Sequence, residues 1–192
     1  MHISEGSQVV IAYDFSSPSE IAFERGVELA ARSPRHVLHV ITVVDDAHPV
    51  PDLPTSKVDY LYTEQVQARV GEKLAAAFAV RAPDTEIHFI VHVRIGKPAD
   101  EILGLATDVA AELIIVGSHG FRGVDRLLFG SVSEAVVRGA RCPVLVVRPR
   151  TYEPVELIDI VDATEHQKYV KPHRYTYTED RIIQRSSNWT IW

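Results

Sequence analysis

Apolar positions in this chain fall into two kinds of stretch. Short runs rich in Val and Ile alternate with longer segments whose apolar residues recur at helical spacing. Strands buried on both faces read this way when helices cover a parallel sheet. The pattern predicts five strands, at about Gln8–Asp14, His36–Val44, Glu86–Val93, Leu113–Gly117 and Pro143–Arg148. Four helices fit between them, at about Pro18–Arg32, Val58–Val80, Ala99–Ala111 and Val132–Arg138. Strict alternation of strand and helix implies right-handed crossovers and an open, doubly wound α/β sheet with helices on both faces.

Local signals sharpen the ends of these elements. Ser17-Pro18-Ser19-Glu20 starts the first helix with a hydroxyl to cap, a proline for the first turn and a glutamate to reach back. Gly96-Lys97-Pro98-Ala99-Asp100-Glu101 opens the third, its acidic groups favoured by the positive end of the helix dipole. Asp45 to Pro54 is too rich in proline for regular structure, so it reads as a surface loop, either flanking a ligand or merely connecting. After residue 150 the pattern changes, dividing the chain into a domain of residues 1–150 and an extension of residues 151–192. In the extension, Asp162–Glu165 suits a turn, while Arg174–Thr178 and Asn188–Trp192 have the composition of short strands. Trp189 and Trp192 are large hydrophobes, which predicts that the extension docks on its own body or on a partner subunit.

Composition narrows the possible roles. The formal charge is −6, from 20 basic and 26 acidic residues, without the positive field that non-specific nucleic-acid binding needs. Cys142 is the only cysteine, which excludes an intrachain disulfide and fits a reducing compartment. The first residues carry no secretory pattern and no run of about 18 apolar residues occurs, so a cytoplasmic protein off the membrane is expected.

Chemistry concentrates after the fourth strand. Glu112-Leu113-Ile114-Ile115-Val116-Gly117-Ser118-His119-Gly120 is a buried strand running into a loop of small residues, and Gly130-Ser131 then begins a helix. Ligands of open α/β sheets bind outside the carboxyl ends of strands, where this loop lies. Gly117 and Gly120 can take positive φ and admit an anion to the backbone, and Gly130 clears space at the helix start. Free amides of Ser131, Val132 and Ser133 would favour a phosphate. The same residues also suit plain turns, with Ser131-Val132-Ser133-Glu134 as a capping box.

Gly117-x2-Gly120-x9-Gly130-Ser131 after an Ile-Ile-Val strand resembles the ATP-binding signature of the universal stress protein family. The likeness also takes in Asp14-Phe15-Ser16, Leu38-His39-Val40-Ile41, Gly96-Lys97-Pro98 and Cys142-Pro143-Val144-Leu145-Val146-Val147. The resemblance implies strand order 3-2-1-4-5, with a nucleotide, ATP, lying across the ends of strands one and four; Mg²⁺ would arrive with the nucleotide, held by phosphates and waters. By the resemblance, Asp14 and Ala12 approach the adenosine portion and the backbone of Val40 meets adenine. Val116, Gly117, Gly120, Gly130, Ser131 and Val132 would then contact ribose and phosphates. Apart from the resemblance, the hydroxyls of Ser118 and Ser133 are secondary candidates, and Lys97 and Arg122 could supply charge to a triphosphate. Asp14 also suits a strand-ending cap.

No Gly-x4-Gly-Lys-Ser/Thr sequence is present, so efficient P-loop hydrolysis is not expected. His119 reads as a loop residue, since no carboxylate is placed to orient it as a base. His36 and His39, three apart on a strand, would face opposite sides, and His88 with His92 lacks a third ligand, which argues against zinc. The expected role is a regulatory binder of an adenine nucleotide, with at most slow hydrolysis. The alternatives are an interaction protein that needs no nucleotide and an adenylyl-transfer enzyme, for which the length hardly provides a substrate domain. A homodimer through the edge strand Pro143–Arg148 follows from the resemblance, and the extension offers a second route to association.

Overall fold

The computed structural model describes residues 6–33, 35–45, 50, 53, 57–81, 83–84, 86–119, 130–149, 175–178 and 181–184. Five strands, β1 (Ser7–Ala12), β2 (His36–Val44), β3 (His88–Ile95), β4 (Leu113–Gly117) and β5 (Val144–Val147), form one parallel sheet in the order β3-β2-β1-β4-β5. The resemblance implied this order, and it puts β1 beside β4 at the point where the winding reverses. Helices α1 (Ser17–Arg32), α2 (Tyr60–Arg81), α3 (Pro98–Asp108) and α4 (Ser131–Gly139) connect the strands.

Alternation along each strand divides the core. Val9, Ile11, Leu38, Val40 and Ile115 face α1 and α2, where they meet Phe23, Val27, Val70 and Leu74. Val10, Ile41, Ile114 and Val116 face the other way, onto Ile102 and Leu105 of α3 and Val136 of α4. Period-two burial on both faces explains why these strands read as unbroken apolar runs. Among the described residues, no helix is long and apolar enough to cross a membrane.

Several boundaries differ from the sequence reading, each for a local reason. The cap of α1 is Ser16, one residue earlier than expected, its hydroxyl accepting from Ser19 N at 3.3 Å. Glu20 therefore lies outside any capping box and bonds Tyr13 and Lys73 instead. Asp59 starts α2 at Tyr60 by accepting from Tyr62 N at 3.0 Å. Helix α3 stops at Asp108 because Ala110 adopts φ 51°, where Ala110 N bonds Thr107 O and Ala111 N bonds Ala106 O. That pairing is a Schellman closure with alanine in the position glycine usually holds. Of the loop 45–54, Val50 is buried and donates its amide to Tyr62 Oη at 2.6 Å.

On the α3 face the histidines behave in a way spacing did not suggest. His39 on β2 reaches His92 on β3, Nδ1 to Nε2 at 3.0 Å, and Gln8 on β1, Nε2 to Oε1 at 2.7 Å. Gln8 Nε2 donates to Gly6 O, so Gln8 Oε1 must accept from His39 Nε2–H. Neutral His39 then accepts at Nδ1, and His92 must donate from Nε2. Three adjacent strands are thus joined by one directional chain of hydrogen bonds. Burial lowers the His39 pKa from 6.5 to about 4, with neighbouring His92 adding to the effect. Burial, and then the Arg94 cation, likewise lower that of His92.

The chain divides into two compact units, Met1–Pro149 and Arg150–Trp192. In the second, β6 (Tyr175–Thr178) and β7 (Arg181–Gln184) make an antiparallel hairpin. The composition around Arg174–Thr178 predicted the first of these strands and missed the second. The predicted turn at 162–165, the predicted strand at 188–192 and the docking of Trp189 and Trp192 lie outside the described residues.

Candidate functional site

The carboxyl ends of β1 and β4 meet the turn after β1 and the start of α4. After β1, Tyr13 N still bonds Ile41 O at 2.9 Å, but the register with β2 ends at Ala12 opposite Ile41. The chain then turns through Phe15 at φ 64°, a left-handed conformation rare for a bulky side chain. Asp14 is held in this turn. Its Oδ1 accepts from Ser16 N at 3.0 Å and from the Ser16 hydroxyl, and its amide donates to Ser19 Oγ at 3.3 Å. The capping role open to Asp14 is therefore realised, and the residue stands half-buried at the strand end.

Gly117 closes β4 for a reason other than torsional freedom. Its φ is not positive, and Gly96 is the one described glycine with a left-handed value. A Cβ on Gly117 would lie 2.8 Å from the Pro18 carbonyl carbon and 2.9 Å from Ser19 N, so the first turn of α1 needs a bare backbone there. This corrects the expectation of positive φ at Gly117. It also locks the Asp14 turn against the end of β4.

Ser118 gathers the start of α4. Its carbonyl accepts from Gly130 N at 2.7 Å and from the Ser133 hydroxyl at 2.9 Å, while its own amide donates to Val147 O at 2.7 Å. The Ser133 hydroxyl also reaches Gly130 O, so it is spent on loop closure and only the Ser133 amide remains for a ligand. Gly130 is the helix cap at φ −75° and ψ 159° and supplies no side-chain acceptor. The capping box read at Ser131–Glu134 is thus not formed, since the cap falls on Gly130. The amides of Ser131, Val132 and Ser133 form the positive end of a nine-residue helix without a side-chain cap. That cradle fits a phosphate group, the group the sequence pattern implied.

The predicted site residues do not all come together. Asp14, Gly117, Gly130, Ser131, Val132 and Ser133 are brought to one end of the sheet, with Ala12 buried at the last position of β1 and Val116 buried one residue before the end of β4. Val40 is wholly buried in mid-strand, opposite Ile11 on one side and Val91 on the other. On β2 the residues past the end of β1 are Thr42 to Val44. Gly120 and Arg122 lie outside the described residues. Ser118 is buried, and its hydroxyl lies 3.2 Å from His119 Nδ1. Lys97 is the cap residue of α3.

Two features escaped the sequence reading. Among the described residues, Thr42 Oγ1 is buried without a hydrogen-bond partner, next to the end of β1. Arg69 and Lys73 of α2 project onto the Asp14 turn, Arg69 over the Phe15 ring at 5.6 Å and Lys73 over the Tyr13 ring at 5.5 Å. Their spacing of four residues is the only sequence signal that could have paired them.

Comparison with known proteins agrees with this layout. The sequence pattern of the universal stress protein family matches residues 7–148. A putative universal stress protein of Staphylococcus epidermidis is 34% identical over 155 residues, spanning 76% of this chain and 89% of that one. The universal stress protein of Methanocaldococcus jannaschii is 30% identical over 141 residues, 73% of this chain and 81% of its own. Among solved structures, universal stress protein UspA from Lactobacillus plantarum shares the fold with a TM-score of 0.55 at 23% identity, over 76% of this chain and 99% of its own. A universal stress protein in complex with cAMP superposes with a TM-score of 0.53 at 24% identity, over 75% of this chain and 98% of its own. With the matched region spanning the whole sheet and the α4 cradle, the chain belongs to the universal stress protein family.

Proposed function

We propose that this protein is a regulatory binder of an adenine nucleotide, ATP with Mg²⁺ foremost, whose occupancy biases contacts with partner proteins. The observation that carries the reading is the junction at Ser118. Its carbonyl draws Gly130 N and the Ser133 hydroxyl together, which sets the uncapped amides of α4 beside the ends of β4 and β1. Phosphates would bind at Ser131, Val132 and the Ser133 amide, and the nucleoside would extend toward Gly117, Asp14 and the backbone of β2 near Val40. Gly120 belongs to the same cradle by its place in the motif. Binding of cAMP by a protein of the same fold supports adenine nucleotides as the ligand class. Mg²⁺ would arrive with the nucleotide, held by phosphates and water. A regulator rather than an enzyme is supported by the missing P-loop lysine and by the use of Ser133 and Asp14 for internal bonds.

Strand β5 is an edge of the sheet and Leu145 on it is 40% exposed, which supports a homodimer formed along that edge. The deciding experiment is calorimetric titration of ATP and Mg²⁺ into the folded, nucleotide-free protein, beside Gly130→Asp. Binding by the wild type and its loss in the variant is the expected result, because a carboxylate at the cap blocks and repels the phosphates. No binding by the wild type would overturn the reading and favour an interaction protein that associates without nucleotide.

A further inference from the structure

We infer that Arg69 and Lys73 of α2 are positioning residues for the nucleotide site, acting through the rings of Phe15 and Tyr13 on the turn that carries Asp14. This inference rests on the binding reading above and assigns a control to the same site. Asp14 stands between the two aromatic residues, whose ring centroids are 4.6 Å apart. Arg69 lies 5.6 Å over the Phe15 ring, and Lys73 lies 5.5 Å over the Tyr13 ring. Both cations sit on one side of α2, one turn apart, so the helix grips both rings from a single face. The turn is gripped a second time through Glu20. Lys73 Nζ donates to Glu20 Oε1 at 2.6 Å, and the buried Tyr13 hydroxyl donates to the same oxygen at 2.5 Å.

The grip matters because the turn is not self-supporting. Phe15 holds φ at 64°, which a bulky residue adopts only when its surroundings compel it. Here the compulsion is visible, since Phe15 packs against the core under α1 and α2 and against a smaller cluster of Val44, Val50 and Tyr62, and its ring lies beneath Arg69. Release the ring and the backbone at Phe15 relaxes toward negative φ, which turns Asp14 and breaks its bonds from Ser16. A nucleotide meeting the relaxed form must first restore the turn, so apparent affinity falls with the fraction still competent. Segment α2 is not in the cradle itself, so a change there reports positioning and not contact.

The test uses the full chain and two readouts. Hydrogen exchange at the Asp14 and Ser16 amides, in the ligand-free protein, reports whether the turn is held. ATP titration reports whether holding it matters. The double variant R69Q/K73M is expected to speed exchange at these two amides by about fivefold to thirtyfold, the range two partly exposed cation–π contacts can supply, and to weaken ATP binding by a smaller, measurable factor set by the fall in the competent fraction. Arg69→Lys keeps a cation over the ring and is expected to retain both properties. Arg25→Gln, which removes one positive charge from the outer side of α1, controls for general attraction of an anion. Unchanged exchange in the double variant overturns the inference. Faster exchange with unchanged affinity also overturns it, as does equal weakening by Arg25→Gln. A wild type that binds no ATP overturns the site reading and the positioning role together, and the wild-type titration alone identifies that case.

Discussion

Acid should weaken this fold through the buried His39, coupled to His92, and the size of the effect follows from the structure. His39 is 4% exposed, and both ring nitrogens are committed to the chain from His92 to Gln8. A proton added to His39 would sit on Nδ1, facing the donor of His92, so it disrupts the chain as well as placing a charge in the sheet. In the unfolded chain the imidazole titrates at its ordinary 6.5, whereas in the folded protein it titrates at about 4. The folded state therefore binds fewer protons between these values, and stability falls as pH drops through that window. Above 6.5 the residue is neutral in both states and contributes nothing to the slope. At about 1.4 kcal/mol for each pH unit, the full loss is on the order of 3 kcal/mol, reached below pH 4, of which about 2 kcal/mol is lost by pH 5.

Urea unfolding at about pH 7.5 and pH 5, for the wild type and His39→Gln, isolates this contribution. Any constant cost of the substitution cancels in the difference between the two pH values. The wild type should lose about 2 kcal/mol more than the variant. His92 is coupled to His39, so the pair is best scored together. Equal losses in the two proteins would refute the argument that the buried chain excludes the proton.

Three further perturbations test other parts of the fold. Thr42→Val removes a buried hydroxyl without a partner and should raise stability by about 1 kcal/mol in thermal unfolding, whereas a loss would mean the hydroxyl has an unseen use. Ala110→Gly relieves a left-handed alanine at the end of α3 and should stabilise by about 0.5–1 kcal/mol, measurable by chemical denaturation. Gly117→Ala drives a methyl against the backbone of Pro18 and Ser19, so it should cost about 1–3 kcal/mol and weaken ATP binding through the displaced turn. Stability kept with binding lost would mean instead that Gly117 serves the ligand alone.

Periodicity and punctuation were enough to assign strands, helices and class, because burial on both faces writes itself into the sequence as apolar runs. The strand order and the α4 cradle were legible through the resemblance, since Gly117, Gly130 and Ser131 recur at fixed spacing. Boundaries were less legible: Ser16 rather than Ser17 caps α1 because Asp14 takes up the preceding turn, and Ala110 ends α3 without the glycine that would have announced it. What tertiary structure alone decided is the set of contacts between residues far apart in sequence. His39 meets His92 only because β2 and β3 are neighbours in register. Lys73 meets Glu20, and Arg69 meets Phe15, only because α1 and α2 pack on one face of the sheet. Gly117 needs to be glycine because α1 begins 2.8 Å from where its Cβ would stand, a constraint set by packing and absent from its local sequence. Local pattern fixes what each segment becomes, since that depends on neighbours within a few residues. Which side chains share a proton, a cation or a surface depends on how distant segments come together, and only the folded chain settles that.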